Sequence, residues 1–330
     1  MKRSTILVLI SVLLISASFV SVPAQNLQRY KDVNGTVKLD FYFPVGVAGP
    51  LASVMDNMVK EFNNEHPKIK VNPVYSGNYN DTMAKVQSAI LSGNPPDVFV
   101  VEISELYTLL GIDGIVPLDK YIEKEGGETF TSQYFDALYG NARAKGKIWG
   151  QPFQRSTPIL YYNKDLFLKH AEELKAEGLD PSRAPRNWYE LEKYAKILTE
   201  RQNGETKTWG LILPGGWNDW IFEGFVYQNG QDSLIENGKT SRLDTLKVRQ
   251  ALQFWYKLTN EIKASPPLKP WNQTPITFSA GNAAMMYYST GGLPLVRKQS
   301  DFDFGVSFQP MNVEYGVPVG GGDFHISKGI

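Results

Sequence analysis

The sequence predicts an α/β protein of two lobes joined by a hinge, and three observations carry that reading. Its 330 residues correspond to roughly two domains at about 150 residues each. Strand-like alternation and helix-like periodicity follow one another through both halves, the signature of crossover-connected sheets. No low-complexity linker separates the halves, so the chain must pass between lobes through short extended segments. Composition agrees with a globular class: 42% hydrophobic and 21% charged residues exclude disordered, collagen-like and polytopic membrane chains.

Along the chain, the amino terminus reads as a secretory signal peptide over residues 1–24. Lys2 and Arg3 form a short positive region, Ile6 to Val20 is apolar, and Val22-Pro23-Ala24 offers small residues for cleavage. The apolar stretch is shorter than the ~18 residues expected of a spanning helix. Cleavage leaves 32 basic against 34 acidic residues, a net charge of minus two. No cysteine follows the apolar stretch, so the expectation is a free periplasmic protein that is not lipid-anchored. The balanced charge offers no field for nucleic acid, and a monomer is expected.

Val37 to Phe43 alternates with period two and is the first strand. Leu51, Met55, Met58, Val59 and Phe62 then form a helical stripe after Pro50, ending before His66-Pro67. Ile69 to Tyr75 is a second strand. Met83, Val86, Ala89 and Ile90 mark a helix closed by Gly93-Asn94-Pro95-Pro96, and Asp97 to Val101 is a buried strand. This order predicts right-handed crossovers and a parallel sheet. Further on, Ile159 to Tyr162 is a strand, Asn163 caps a helix, and Asn187 with Glu190 forms a capping box before a helix reaching about Arg201. Trp209 to Leu213, Met285 to Tyr288 and Phe304 to Phe308 read as strands. Leu246 to Ile262 reads as a helix with Val248, Ala251, Leu252, Trp255, Leu258 and Ile262 on its apolar face. The crossings fall near Phe153 to Thr157 and Gly320 to Asp323. Lobe 1 is then 25–153, with the chain returning to it at about 322–330, and lobe 2 is 154–321.

Most catalytic chemistry is missing. Without cysteine there are no disulfides, thiolate nucleophiles or cysteine-ligated metals. His66, His170 and His325 lack metal-ligand spacing, so no metal site and no cofactor are expected. Gly238-Lys239-Thr240 resembles the end of a phosphate-binding loop, yet Ser233 stands where its first glycine belongs; Gly320-Gly321-Gly322 lacks dinucleotide spacing, and no Gly-x-Ser-x-Gly elbow occurs. Carboxylates are plentiful, but no glycosidase-type pair announces itself.

Polar groups do stand where α/β clefts form, at strand ends and first helical turns. They are Gly77-Asn78-Tyr79, Glu102, Ser156-Thr157 and Gly215-Gly216-Trp217. Each has a plain alternative: Tyr79 a surface tyrosine, Glu102 a first-turn carboxylate, Ser156 a capping hydroxyl, Trp217 and Trp220 a core pair. Together, aromatic faces beside hydroxyls and a carboxylate suit a small polyol.

The run from Gly150 to Asp165, with Ser156-Thr157-Pro158 and Tyr161-Tyr162-Asn163-Lys164-Asp165, resembles the hinge and following strand of the extracellular solute-binding proteins of ABC importers. Gly77-Asn78-Tyr79, Glu102, Gly216-Trp217-Asn218-Asp219-Trp220, the Gly281 to Gly291 segment and Gly320-Gly321 extend the resemblance, and among them Gly77-Asn78-Tyr79 and the Trp217-x-x-Trp220 pair favour the glycerol-phosphate-binding branch. The resemblance implies a maltose-binding-protein-like (type II) periplasmic fold that performs no chemistry. Its partners would be an ABC permease in the inner membrane and a glycerol phosphate, glycerophosphodiester or sugar ligand. It implies that Tyr79, Glu102, Ser156, Trp217, Trp220, Ser289 and Gly321 line the ligand cleft. Glu102 would accept from glycerol hydroxyls, the tryptophans would pack on carbon, and Ser156, Ser289 and the Gly321 amide would donate to ligand oxygens. A sugar or oligosaccharide binder is the alternative, and a secreted glycoside hydrolase a remote one.

Two positions depart from the branch. Tyr42-Phe43 replaces a Trp-His pair, and Arg155 replaces a small residue before the hinge serine; Arg155 is a possible site residue, offering either a bidentate phosphate contact or a cleft-closing salt bridge. Family members also continue past Gly320 to Gly322 with further contacts, including a tyrosine and an arginine. The chain therefore resembles a C-terminally truncated member, and residues 25–330 alone are expected to bind weakly or fold poorly.

Overall fold

A computed structural model describes residues 35–44, 51–236 and 240–329. The signal-peptide reading and Gly238-Lys239 lie outside these residues. Strand β1 (Val37–Phe43), helix α1 (Leu51–Glu65), strand β2 (Ile69–Tyr75), helix α2 (Tyr79–Leu91) and strand β3 (Val98–Glu102) follow the predicted order. On α1, Met55 and Val59 are buried whereas Met58 and Phe62 are exposed, so the apolar stripe is narrower than the sequence suggests.

The chain then reaches β4 (Gln151–Ser156), and only Thr157 separates it from β5 (Pro158–Asn163). These two strands belong to different sheets. The first sheet has the order β2-β1-β3-β8-β4, where β8 is Gly320–Ile326; the second has the order β6-β5-β7, with β6 at Met285–Ser289 and β7 at Phe304–Ser307. β1, β2 and β3 pair in parallel, but β8 is antiparallel to both β3 and β4. The expected all-parallel sheet is therefore mixed, because its last two strands are supplied from far along the chain.

Between β5 and β6 lie α3 (Trp188–Ile197), α4 (Asn218–Gln228) and α5 (Leu246–Tyr256). Asn163 caps its helix as read, accepting from Leu166 N at 3.0 Å. Asn187 accepts from Glu190 N at 2.9 Å, but Glu190 does not return the bond: it accepts from Arg186 N and takes the Arg183 guanidinium at 2.7 and 2.9 Å. Helix α3 ends at Ile197, short of Arg201, because a hairpin Glu200–Gln202/Glu205–Thr208 begins there. Its turn is Asn203-Gly204 with both φ positive, the conformation that matches strand twist in a two-residue hairpin. Trp209 to Leu213 forms parallel bridges at Trp209 to Ala283 and Ile212 to Met286 rather than a continuous strand. Helix α5 passes into a π-helical turn at Lys257–Glu261, and Leu252, assigned to its apolar face, is exposed.

The lobes hold separate cores. One cluster centres on Leu160, Tyr161, Phe225 and Met285 to Tyr288 around the three-stranded sheet. Two others flank the five-stranded sheet, one with Phe99 and Val101 and one with Phe41, Phe43 and Val100. Trp217 packs against both the second-lobe cluster and the Phe41/Phe43 cluster, so its ring lies where the lobes meet.

Candidate ligand-binding cleft

Tyr79 enters the cleft as the first residue of α2. Asn78 fixes that turn through a complete capping box, accepting from Asp81 N at 2.9 Å while donating its own N–H to the Asp81 carboxylate at 3.1 Å. The tyrosine is buried rather than a surface residue, and Gln154 Nε2 donates to its hydroxyl. Burial pushes its pKa up to about 12, so it stays protonated.

Glu102 ends β3 opposite Gly322, immediately before a short 3-10 turn to which its side chain makes no cap bond. Burial first, then the charges of Asp219 and Glu105, push its pKa up from 4.5 to about 7. Trp217 precedes α4 with φ 47° and ψ 35°, a left-handed conformation that costs a tryptophan about 1–3 kcal/mol and marks a position held by its surroundings. Gly216 lies under Trp271, where an added Cβ would stand 3.0 Å from the Trp271 Cβ.

The seven residues implied by resemblance come together. Tyr79, Glu102, Ser156, Trp217, Trp220, Ser289 and Gly321 all line one cleft of about 240 Å³, together with Arg155. Walls come from both lobes: Tyr79, Glu102 and Gly321 from the five-stranded side, Trp217, Trp220 and Ser289 from the other. Arg155, Ser156 and Gly321 are carried on the first lobe's sheet by β4 and β8 rather than within the expected 154–321 lobe. Ser289 Oγ accepts from Gly291 N at 3.1 Å, which leaves its O–H to donate. Gly321 has φ 127°, and a Cβ there would lie 2.0 Å from Gln154 O.

Trp271 was missed. It stands perpendicular to Trp217 with centroids 5.2 Å apart and stacks on Tyr288 at 4.2 Å. Its segment reaches the cleft through the Pro214 to Lys269 bridge, a pairing that no local pattern encodes. Gln154, Gly291, Pro294 and Gly320 complete the lining; none was named as a site residue, although Gly291 and Gly320 stand in segments that carried the resemblance.

Arg155 does not play either expected role as stated. Its Nη1 donates to Gly322 O at 2.8 Å and Gln154 O at 3.0 Å, and its Nη2 donates to Leu138 O at 2.7 Å and pairs with Asp323. The terminal nitrogens of the guanidinium are thus engaged within one lobe, joining β4 to β8 and to the helical turn at Leu138 rather than lobe to lobe, and no bidentate fork remains for a phosphate. Asp323 is buried, and burial raises its pKa despite the arginine.

Glu102 is the only carboxylate among the described lining residues, so the cleft assembles no glycosidase pair. Among the described residues no metal-binding cluster occurs: His66 is exposed, His170 bonds Glu200 at 2.7 Å, and His325 is buried against Trp149 O. No helix among them is long and apolar enough to cross a membrane.

Residues 48–329 match the family of bacterial extracellular solute-binding proteins. The chain belongs to that family. Among curated members, the sn-glycerol-3-phosphate-binding periplasmic proteins UgpB of Pectobacterium atrosepticum and Escherichia coli are each 28% identical to it, over 83% and 81% of this chain. The chain spans about 60% of the length of these relatives. Among solved structures, UgpB from Mycobacterium tuberculosis in complex with glycerophosphocholine superposes with a TM-score of 0.75 at 22% identity, covering 90% of this chain and 74% of that one. An ABC substrate-binding protein of Listeria monocytogenes in complex with cycloalternan gives 0.73 at 24%, covering 88% and 71%. These likenesses show a shared two-lobed fold, which a maltose/maltodextrin-binding domain of Bdellovibrio bacteriovorus also resembles at a TM-score of 0.71 and 20% identity.

Proposed function

We propose that the protein is the substrate-binding component of an ABC importer, exported to the periplasm, that captures a small glycerophosphodiester and delivers it to a membrane permease without transforming it. The observation that carries this reading is the convergence of Tyr79, Glu102, Ser156, Trp217, Trp220, Ser289 and Gly321 on one cleft. Glu102 accepts glycerol hydroxyls, the indole faces cover C–H bonds, and the hydroxyls of Ser156 and Ser289 donate to ester oxygens. At about 240 Å³ the cleft lies just below the ~300–1,000 Å³ usual for drug-sized ligands, which favours a compact ligand over an oligosaccharide.

Charge selects the diester. The only cation among the described lining residues, Arg155, is paired with Asp323, and Glu102 adds negative charge when ionised. A phosphomonoester dianion therefore meets less compensation than a diester monoanion. The same balance supports a second reading, a neutral sugar, since indole faces and one carboxylate suit pyranose rings. Calorimetric titration with glycerophosphocholine, sn-glycerol 3-phosphate and maltose separates them. The expected order is glycerophosphocholine, then glycerol 3-phosphate, with maltose silent; binding of maltose alone would replace this reading by the sugar one.

A further inference from the structure

Arg155 and Trp220 share a property that their packing does not explain. Arg155 has a side chain only 10% exposed, and its Nε has no partner although the terminal nitrogens make four contacts. Trp220 Nε1 is also buried and unpartnered. Both residues line the cleft, from opposite lobes. An unpaired buried donor costs about 1–3 kcal/mol, and such groups call for an explanation in ligand, ion or water.

Their positions are adjacent through β8. Arg155 is the register partner of Gly321, and the next residue, Gly320, lies beneath the indole: a Cβ on Gly320 would stand 3.3 Å from Trp220 Nε1 and 2.6 Å from Cζ2. The lack of side chains on the glycine pair lets the Trp220 indole and the Gln154 carbonyl come close against β8. The guanidinium and the indole N–H have donors and no acceptor, so what satisfies them must bring lone pairs.

We infer that Arg155 and Trp220 form an acceptor-oxygen subsite: the Nε–H of Arg155 from one lobe and the Nε1–H of Trp220 from the other hold a non-bridging oxygen of the ligand's phosphodiester. This rests on the glycerophosphodiester reading and deepens it. Arg155 acts there through a single N–H rather than a fork, and Asp323 trims its charge so that the subsite suits a monoanion. Trp220 acts as a hydrogen-bond donor in addition to covering carbon. Because the donors come from different lobes, the oxygen is fully held only when the lobes are together.

The test is calorimetry of the wild-type chain, Trp220→Phe and Arg155→Lys with glycerophosphocholine, with the ³¹P resonance of the bound ligand as second readout. Phenylalanine keeps an aromatic face and removes the N–H; lysine keeps a charge for Asp323 and removes the branch. A hydrogen bond to a charged oxygen of about 1.5–3 kcal/mol predicts at least about tenfold weaker binding by each variant, with a displaced ³¹P resonance that a packing defect remote from the phosphorus would not produce. Affinity within twofold of wild type and an unmoved resonance in Trp220→Phe would overturn the subsite while leaving the ligand reading intact. That variant decides the matter if Arg155→Lys fails to fold. No heat with glycerophosphocholine from the wild type, but heat with maltose, would overturn the ligand reading and the subsite with it.

Discussion

At Glu102, burial and the charges of Asp219 and Glu105 oppose ionisation, and the consequence reaches stability as well as binding. The unfolded chain releases this proton near pH 4.5, whereas the folded protein keeps it until about 7. Between these values the native state binds more protons, so stability is highest at the acid end and falls as pH rises through the window. Denaturation between pH 5 and 8 should show a loss on the order of 2 kcal/mol in the wild type that is absent from Glu102→Gln. Equal pH slopes for the two proteins would show that the carboxylate is better solvated than its surroundings imply. Arg155 teaches the complementary lesson. From sequence it reads as a phosphate contact or a cleft-closing salt bridge beside a hinge serine, because the residue that engages it, Asp323, is brought alongside only when β8 pairs with β4.

On the scale of elements, the first three residues of β8, Gly320 to Gly322, show how a stretch of strand without side chains can shape a site. A Cβ on Gly320 would press on Trp220, one on Gly321 on Gln154 O at 2.0 Å, and one on Gly322 on Tyr79 Cε1 at 3.0 Å. The triple glycine is therefore a floor on which a tryptophan of one lobe and a tyrosine of the other rest. Gly320→Ala should force the Trp220 ring outward, weaken ligand binding at least tenfold, red-shift tryptophan emission and cost about 1–3 kcal/mol of stability by overpacking. Unchanged emission would mean that the lobes absorb the methyl elsewhere. The strands and helices from Val37 to Glu102 were legible because each carries its own hydrophobic period and its own stop signal, such as Gly93 after α2. The Glu200–Thr208 hairpin carried an equally local signal in Asn203-Gly204, passed over in favour of continuing a helix. Trp271 and the antiparallel half of the first sheet had no such signal. Their partners, Gly216 for one and β3 and β4 for the other, lie tens to more than two hundred residues away, and position in three dimensions alone makes them part of the cleft.

For the molecule as a whole, the two sheets are linked where Ser156 pairs with Gly320, so both crossings run side by side. Around them the chain is anchored: Thr157 N donates to Thr290 Oγ1 at 3.2 Å, Thr290 N donates to Thr157 O at 2.9 Å, and Met311 and Val313 bond Arg186 O and Gln228 O in the second lobe. Rotation is thereby confined to the few residues between these anchors and the first sheet, which is hinge geometry. A ligand that touches Glu102 on one side and Trp220 on the other makes its full set of contacts only when the lobes close, and its differential affinity is what moves the equilibrium. A hundredfold preference for the closed form shifts the balance by about 2.7 kcal/mol at saturation, enough to turn an evenly populated pair of states into a closed one. Small-angle scattering should then show the radius of gyration falling on saturation with glycerophosphocholine, while far-ultraviolet circular dichroism stays constant because each lobe moves as a body. A saturable heat of binding with no change in scattering would place the free protein already in its closed form. Trp217, packed against the cores of both lobes, would then be the contact that holds it there.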